Sequence, residues 1–317
     1  PLVKTVVAKR KKSVARLPWE ILTVEDADET KAKAHRETLL RFWNTVRATD
    51  ALTQDQSGGL SLLIRQMMDA QGKGFAVHEM VFKPGANLSA EFRFAPLWWF
   101  ENLTGRLRYL DSDAAYEGQP LDPEGWLVSV GDGLMIPTVI AYTYKRFPLN
   151  DWLTYCEKFG MPGIIGSTDA PLGSEQWKAM EDAVSSFVVD WAAVKNLTDK
   201  IELIQAGSGQ NLPFLPLVEY MDRKIASLWR GADLSTISQG GESSGASLQG
   251  DETDMLLEDD AAWVQETLHE RVSKLVIRYQ HGDEEPLAYL ALACPKRRQI
   301  DADDKAIRLC MDAGIAL

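Results

Sequence analysis

Disulfide pairs, a membrane span and a surplus of positive charge are all missing from this sequence. Its three cysteines, Cys156, Cys294 and Cys310, are far apart and odd in number, and no CxxC occurs. That suggests neither a zinc site nor a redox pair, and it reads as reduced thiols in a protein assembled in a cytoplasm. No apolar run approaches the roughly 20 residues a helix needs to span a bilayer, and no secretory leader opens the chain. Pro1 stands where a start methionine would, so the chain reads as a portion of a longer protein. Lys and Arg number 34 against 46 Asp and Glu, a formal net charge of -12. Tight phosphate binding draws on cations to displace counterions, so the balance argues against a protein whose main business is gripping nucleic acid. It does not argue against one that surrounds DNA loosely.

Catalytic and metal-binding patterns are scarce as well. The histidines are His35, His78, His269 and His281, with no HExxH or paired metal spacing among them. His78, in the strand-like Val77-His78-Glu79, is placed to pair with a carboxylate and reads as a structural histidine, with a ligand role as the alternative. There is no P-loop, because Gly72-Lys73-Gly74 is too short. Asp111-Ser112-Asp113 starts like a calcium loop but lacks the glycine and the later ligands. One motif does match: Gly241-Glu242-Ser243-Ser244-Gly245 fits G-x-S-x-G, and His269 follows in the chain order of a hydrolase triad. That elbow needs a buried strand immediately before it, and Ser235-Thr236-Ile237-Ser238-Gln239-Gly240 is polar and glycine-bounded. No cofactor and no metal is expected.

What is present is a foldable chain of 317 residues, 45% hydrophobic and 25% charged, enough for two domains or one multi-lobed subunit. No internal repeat is found. Val3 to Val14 mixes basic and apolar residues, and Lys9-Arg10-Lys11-Lys12 reads as the exposed face of a helix, with DNA contact as the alternative. Pro18 then favours an extended piece. Thr30 to Arg47 and Leu60 to Ala70 carry apolar residues at helical spacing. Phe75 to Phe82, Glu91 to Phe94, Arg106 to Leu110 and Trp126 to Val130 are short, aromatic or β-branched runs separated by turn residues. Strands in succession without helices between them predict an antiparallel sheet and an α+β fold.

Beyond Pro137 the pattern is mostly helical. Thr138 to Phe159 predicts one long helix with Pro148 as a kink, stopped by Gly160-Met161-Pro162-Gly163. Ile164 and Ile165 look extended, Glu175 to Val194 amphipathic, and Lys200 to Gln205 alternates as a strand. Pro216 to Arg230 predicts a helix capped by Gly231. Another runs from about Thr253 to Tyr279 on the stripe Leu257, Ala261, Val264, Leu268, Val272, Leu275 and Tyr279. Between them, Gly231 to Trp263 has no Lys or Arg, and Ser235 to Gly250 is almost wholly Ser, Gly, Gln and Thr. A loop this long between strong helices is a functional segment or a flexible linker.

The order of these features resembles the portal proteins of Mu-like tailed bacteriophages. The resemblance rests on Val7 to Ile21, on Gly74-Phe75-Ala76-Val77-His78-Glu79-Met80-Val81-Phe82, on Lys145 to Gly166 with Asp151-Trp152 and Glu157 to Pro162, and on Trp229 to Thr236 continuing to Gly245-Ala246-Ser247-Leu248. It covers most of the chain through several soft motifs in a shared order. The loop departs from the pattern in being especially rich in Gly and Ser.

That resemblance implies an elongated subunit in four kinds of part. Residues 1–136 would be a wing with an antiparallel sheet, 137–160 and 212–231 paired stem helices, and 161–211 a small αβ clip. Residues 232–252 would be the tunnel loop, facing DNA through Ser235, Thr236, Ser238, Gln239, Glu242, Ser243, Ser244, Ser247 and Gln249. Residues 253–317 would supply a long helix on the wing or crown side and the C-terminal part. It further implies a ring of about twelve copies in the virion, assembled in the host cytoplasm, and no membrane. The implied partners are double-stranded DNA passing through, the terminase large subunit, the major capsid protein and a head-tail adaptor. The competing classes are a serine hydrolase using Ser243 and a soluble adaptor or scaffold protein without a channel.

Overall fold

A computed structural model of the chain describes residues 2–53, 55–85, 88–112, 115–159, 164–187, 192–195, 214–231 and 243–294. It divides into two units, one of Pro1–Ile140 with Arg223–Leu317 and one of Ala141–Asp222.

The larger unit begins with helix α1 (Leu2–Ala15), which buries Val6, Arg10, Val14 and Ala15. Strand β1 (Trp19–Thr23) follows Pro18 and pairs antiparallel with the last described strand, β12 (Ala288–Leu292), with Ile21 opposite Leu290. Helix α2 (Glu29–Thr45) opens at Asp28, whose carboxylate accepts the Lys31 N–H at 3.0 Å. Such a cap satisfies one of the donors a helix start leaves orphaned. Its inward face is Ala32, His35, Leu39, Phe42 and Trp43.

The main sheet has the order β3-β2-β5-β4-β9, from β2 (Arg47–Asp50), β3 (Ser57–Gly58), β4 (Phe75–Lys83), β5 (Ser89–Ala95) and β9 (Trp126–Val130). The expected strands β4, β5 and β9 pair antiparallel, and the sheet as a whole is mixed because β2, which the sequence did not indicate, runs parallel to β5. A parallel pair needs a long crossover, and helices α3 (Leu60–Met67) and α4 (Asp69–Lys73) lie within the connecting stretch. Alternation along β4 divides its side chains between two layers. Met80 joins the main core with Phe42, Trp43, Leu63, Met67, Phe92 and Leu127, whereas Val77 packs with Ala95 and Phe100 in a smaller cluster. That second layer also holds Tyr109 and Trp126 and is bordered by the short strands β6 (Phe100–Glu101), β7 (Arg108–Tyr109) and β8 (Gln119–Pro120).

Beyond the sheet, helix α5 (Met135–Phe159) contains Pro148, as expected, and helix α7 (Phe214–Arg230) ends at Gly231, whose φ is 72°. Helix α8 (Ser243–Leu268) starts ten residues before the expected Thr253, so the second half of the predicted Gly-Ser loop is helical. It passes into a π turn (His269–Ser273) and then helix α9 (Lys274–His281). The sequence explains the turn. Val264, Leu268, Val272 and Val276 are all buried and stand four apart, a spacing that drifts off one face of a 3.6-residue helix unless a wider turn intervenes. The buried face beyond it is therefore Val276 and Ile277, while Tyr279, expected on the stripe, is 44% exposed.

In the smaller unit, strands β10 (Ile164–Ser167) and β11 (Ala192–Lys195) pair in parallel, with helix α6 (Glu175–Phe187) between them in the chain. The helix expected to continue to Val194 therefore ends sooner, and Ala192–Lys195 is a strand. The strand expected over Lys200 to Gln205 lies outside the described residues. Lys145 Nζ and Asp222 Oδ1 form a 2.5 Å ion pair, and the rings of Tyr155 and Phe214 are 6.1 Å apart, so the parts of α5 and α7 in this unit lie side by side.

Candidate functional site

The basic run of α1 is not one exposed face. Arg10 turns inward and forms two hydrogen bonds to Asp260 of α8, Nε to Oδ2 at 2.7 Å and Nη2 to Oδ1 at 2.8 Å. Their side chains are 7% and 4% exposed. Lys11 reaches Asp69 of α4, which Lys73 also contacts at 3.0 Å. Burial alone would raise the Asp69 carboxyl, but Lys11 and Lys73 more than offset it and hold it below the usual range. Lys4, Lys9 and Lys12 keep their exposure. The helix thus divides its cations between two internal anchors and the surface.

Two cavities flank α1. A small one lies toward α8, lined by Lys9, Arg10 and Ser13 together with Trp229, Arg230, Leu257 and Asp260 among others. The other is an open groove of about 580 Å³, lined by apolar Val3, Val7, Ala8 and Met135 and by the cations Lys4, Lys11, Lys12 and Arg65. Trp229 is buried at the end of α7, where its indole Nε1 donates to Thr138 Oγ1 of α5 at 2.8 Å.

Large apolar side chains are left in solvent along α5 and α7. Ile136, Val139, Ile140, Tyr144, Phe147 and Leu153 are all more than half exposed, and Tyr220 is 52% exposed. Large exposed apolar side chains in such number are the raw material of interaction surfaces.

His78 is buried in the way a structural histidine would be, but it makes no bond to the carboxylate partner the sequence offered. It is fully buried, its ring centroid lies 5.0 Å from that of Phe94, and neither nitrogen has a hydrogen-bond partner. Burial pushes its pKa down to about 3, so it is neutral. Among the described residues no cluster of His, Cys, Asp and Glu could hold a metal ion, and no helix is long and apolar enough to cross a membrane.

The hydrolase constellation fails on geometry. Ser243 is the first residue of α8 and His269 directly follows its last. Twenty-six residues of continuous helix separate them by roughly 39 Å, far beyond hydrogen-bond reach. Residues 241 and 242 of the motif lie outside the described residues.

Across residues 1–317 the sequence matches the family described as "Portal protein of Mu bacteriophage". The chain belongs to that family. Solved structures agree in fold. The HK97 family phage portal protein from Corynebacterium diphtheriae is 12% identical with a TM-score of 0.54, over 95% of each chain. A chain in the virion of a native gene transfer agent particle is also 12% identical, with a TM-score of 0.55, over 100% of this chain and 87% of that one. No curated protein matches the sequence.

Of the portal-family segments singled out in the sequence, Ser235, Thr236, Ser238, Gln239 and Glu242 lie outside the described residues. Ser243, Ser244, Ser247 and Gln249 fall on the first two turns of α8. Sequence reading did not find the Arg10–Asp260 pair, the cation-lined groove or the Trp229–Thr138 bond. The first joins residues 250 positions apart, and no local pattern signals such a meeting.

Proposed function

We infer that this chain forms a closed ring at one vertex of a phage capsid, the channel through which double-stranded DNA is packaged and ejected. The family match over the whole chain carries this reading. The exposed apolar residues of α5 and α7 support it, because a ring subunit has neighbours to cover them. About twelve copies close the ring by successive head-to-tail contacts, each burying well over about 2,000 Å².

In this reading the main sheet belongs to the wing (1–136). Helices α5 and α7 form the stem (137–160 and 212–231), and β10, α6 and β11 belong to the clip (161–211). A two-stranded sheet has open edges, and pairing with a neighbouring copy would close them. Residues 232–252, whose second half is the start of α8, form the tunnel-loop segment, with Ser235, Thr236, Ser238, Gln239, Glu242, Ser243, Ser244, Ser247 and Gln249 toward the DNA. Between Gly231 and Glu270 there is no Lys or Arg, so a moving duplex meets no strong phosphate anchor. The terminase large subunit, the major capsid protein and a head-tail adaptor dock on the assembled ring, which is part of the virion. The portal subunit carries no catalytic role of its own.

Native mass spectrometry and negative-stain imaging of the purified protein test the reading. Rings with a central hole are expected. A protein that stays monomeric at all concentrations would overturn the ring and favour the adaptor or scaffold class.

A further inference from the structure

Resting on the ring reading, we propose that the groove beside α1 receives helix α8 of a second copy of this chain, in a head-to-tail contact between neighbours. The groove supplies apolar surface from Val3, Val7, Ala8 and Met135 among the cations Lys4, Lys12 and Arg65. None of these three cations makes an ion pair among the described residues, and Lys11, the fourth, is already committed to Asp69.

The complementary surface is on α8. Glu252, Met255, Asp259, Ala262 and Glu266 are all exposed and stand three and four residues apart, so they form one stripe along the helix. Three carboxylates flank two apolar positions, and Met255 is 65% exposed. None of the three carboxylates makes an ion pair among the described residues. From Glu252 to Glu266 the stripe runs about 21 Å, and the α1 stretch from Val3 to Lys12 runs about 14 Å. The stripe is therefore long enough to occupy the groove.

Within one subunit the two surfaces cannot meet. Helix α8 packs on the side of α1 that carries Lys9, Arg10 and Ser13, through Thr253, Leu256, Leu257 and Asp260. The groove is on the other side of α1, and no α8 residue lines it. A groove and a ridge on different parts of one subunit make a heterologous contact, the kind that generates rings. In a chain of net charge -12, a cation-lined groove facing a neighbour's carboxylates also steers copies together in one register. The helix that follows the Gly-Ser segment thereby becomes part of the subunit contact.

Charge exchange tests the pairing. Lys4→Glu, Lys12→Glu and Arg65→Glu together reverse the groove, and Glu252→Lys, Asp259→Lys and Glu266→Lys together reverse the ridge. Circular dichroism of each variant, with a melt, verifies that the subunit stays folded. Each reversed protein alone should show a ring fraction down by on the order of tenfold or more in native mass spectrometry, since it sets like charges against each other. An equimolar mixture of the two should recover rings in which the variants alternate, because each groove then meets a ridge of opposite sign. If the reversed proteins assemble as the parent does, or the mixture recovers nothing, the pairing is overturned while the parent's rings leave the ring reading standing. A parent chain that forms no rings would remove both.

Discussion

Arg10 and Asp260 face each other through two hydrogen bonds, of 2.7 and 2.8 Å, in an interior that leaves their side chains 7% and 4% exposed. The pair ties the first helix to the one that follows the Gly-Ser segment. Desolvating both charges offsets much of their attraction, so removing one partner is far worse than replacing both. Asp260→Ala should lower unfolding free energy by about 3–5 kcal/mol, whereas Arg10→Met with Asp260→Leu should lie close to the parent. Urea titrations of the two variants check this. Equal losses for both would mean that the pair is not buried as described.

His78 gives the protein an acid-sensitive core. Its pKa in the folded state, about 3, is below the ordinary value of 6.5. Between those values the unfolded chain binds a proton that the folded one does not, so stability rises with pH through the window. This contribution is complete above about pH 6.5 and is lost as pH falls toward 3, with a slope of at most ~1.4 kcal/mol per pH unit. His78→Leu should flatten the dependence from pH 6.5 downward. It should also not destabilise the protein at pH 7.5, because it removes two buried nitrogens without partners. Denaturant midpoints measured at half-unit pH steps decide; an unchanged slope in the variant would exclude His78 as the source.

Gly131 lies against the backbone of α4. A Cβ placed there would be 2.5 Å from the carbonyl carbon of Ala70 and 2.7 Å from the Gln71 nitrogen. Backbone cannot rotate aside as a flexible side chain can. Gly131→Ala should therefore cost about 1–3 kcal/mol or more, visible as a lowered melting temperature. Gly105→Ala is the control for glycine substitution itself. Nothing lies within 4 Å of its Cβ position, but its φ is 78°, so it reports backbone strain without a clash.

The channel reading predicts a charge effect at the start of α8. Ser243→Arg with Ser244→Arg would put cations into a stretch that has none from Gly231 to Glu270. Packaging should slow or stall while rings still form, because each added cation anchors phosphate. Packaging rate with and without raised salt measures this, since screening should partly restore it. Unchanged packaging would argue against this segment lining the channel.

Local pattern made much of the architecture legible. Strand β9 follows Trp126 to Val130 because aromatic and β-branched residues there stand between turn residues. Helices α2, α3 and α7 follow apolar spacing, since one face must be buried whatever it packs on. The order of motifs also indicated the family, because such an order is a property of the sequence itself.

What pairs with what was settled by the tertiary structure. Strand β2 beside β5 in parallel depends on where a crossover carries the chain, not on the residues of either strand. Ala192–Lys195 carries helix-compatible residues and became a strand once β10 offered it a ladder. The basic run on α1 looked like one solvated face. Only packing against α8 and α4 set Arg10 and Lys11 beside carboxylates and left Lys4 and Lys12 on a groove. Sequence determines which side chains can be buried. Which charges meet is decided by distances that exist only when chain segments hundreds of residues apart are brought together.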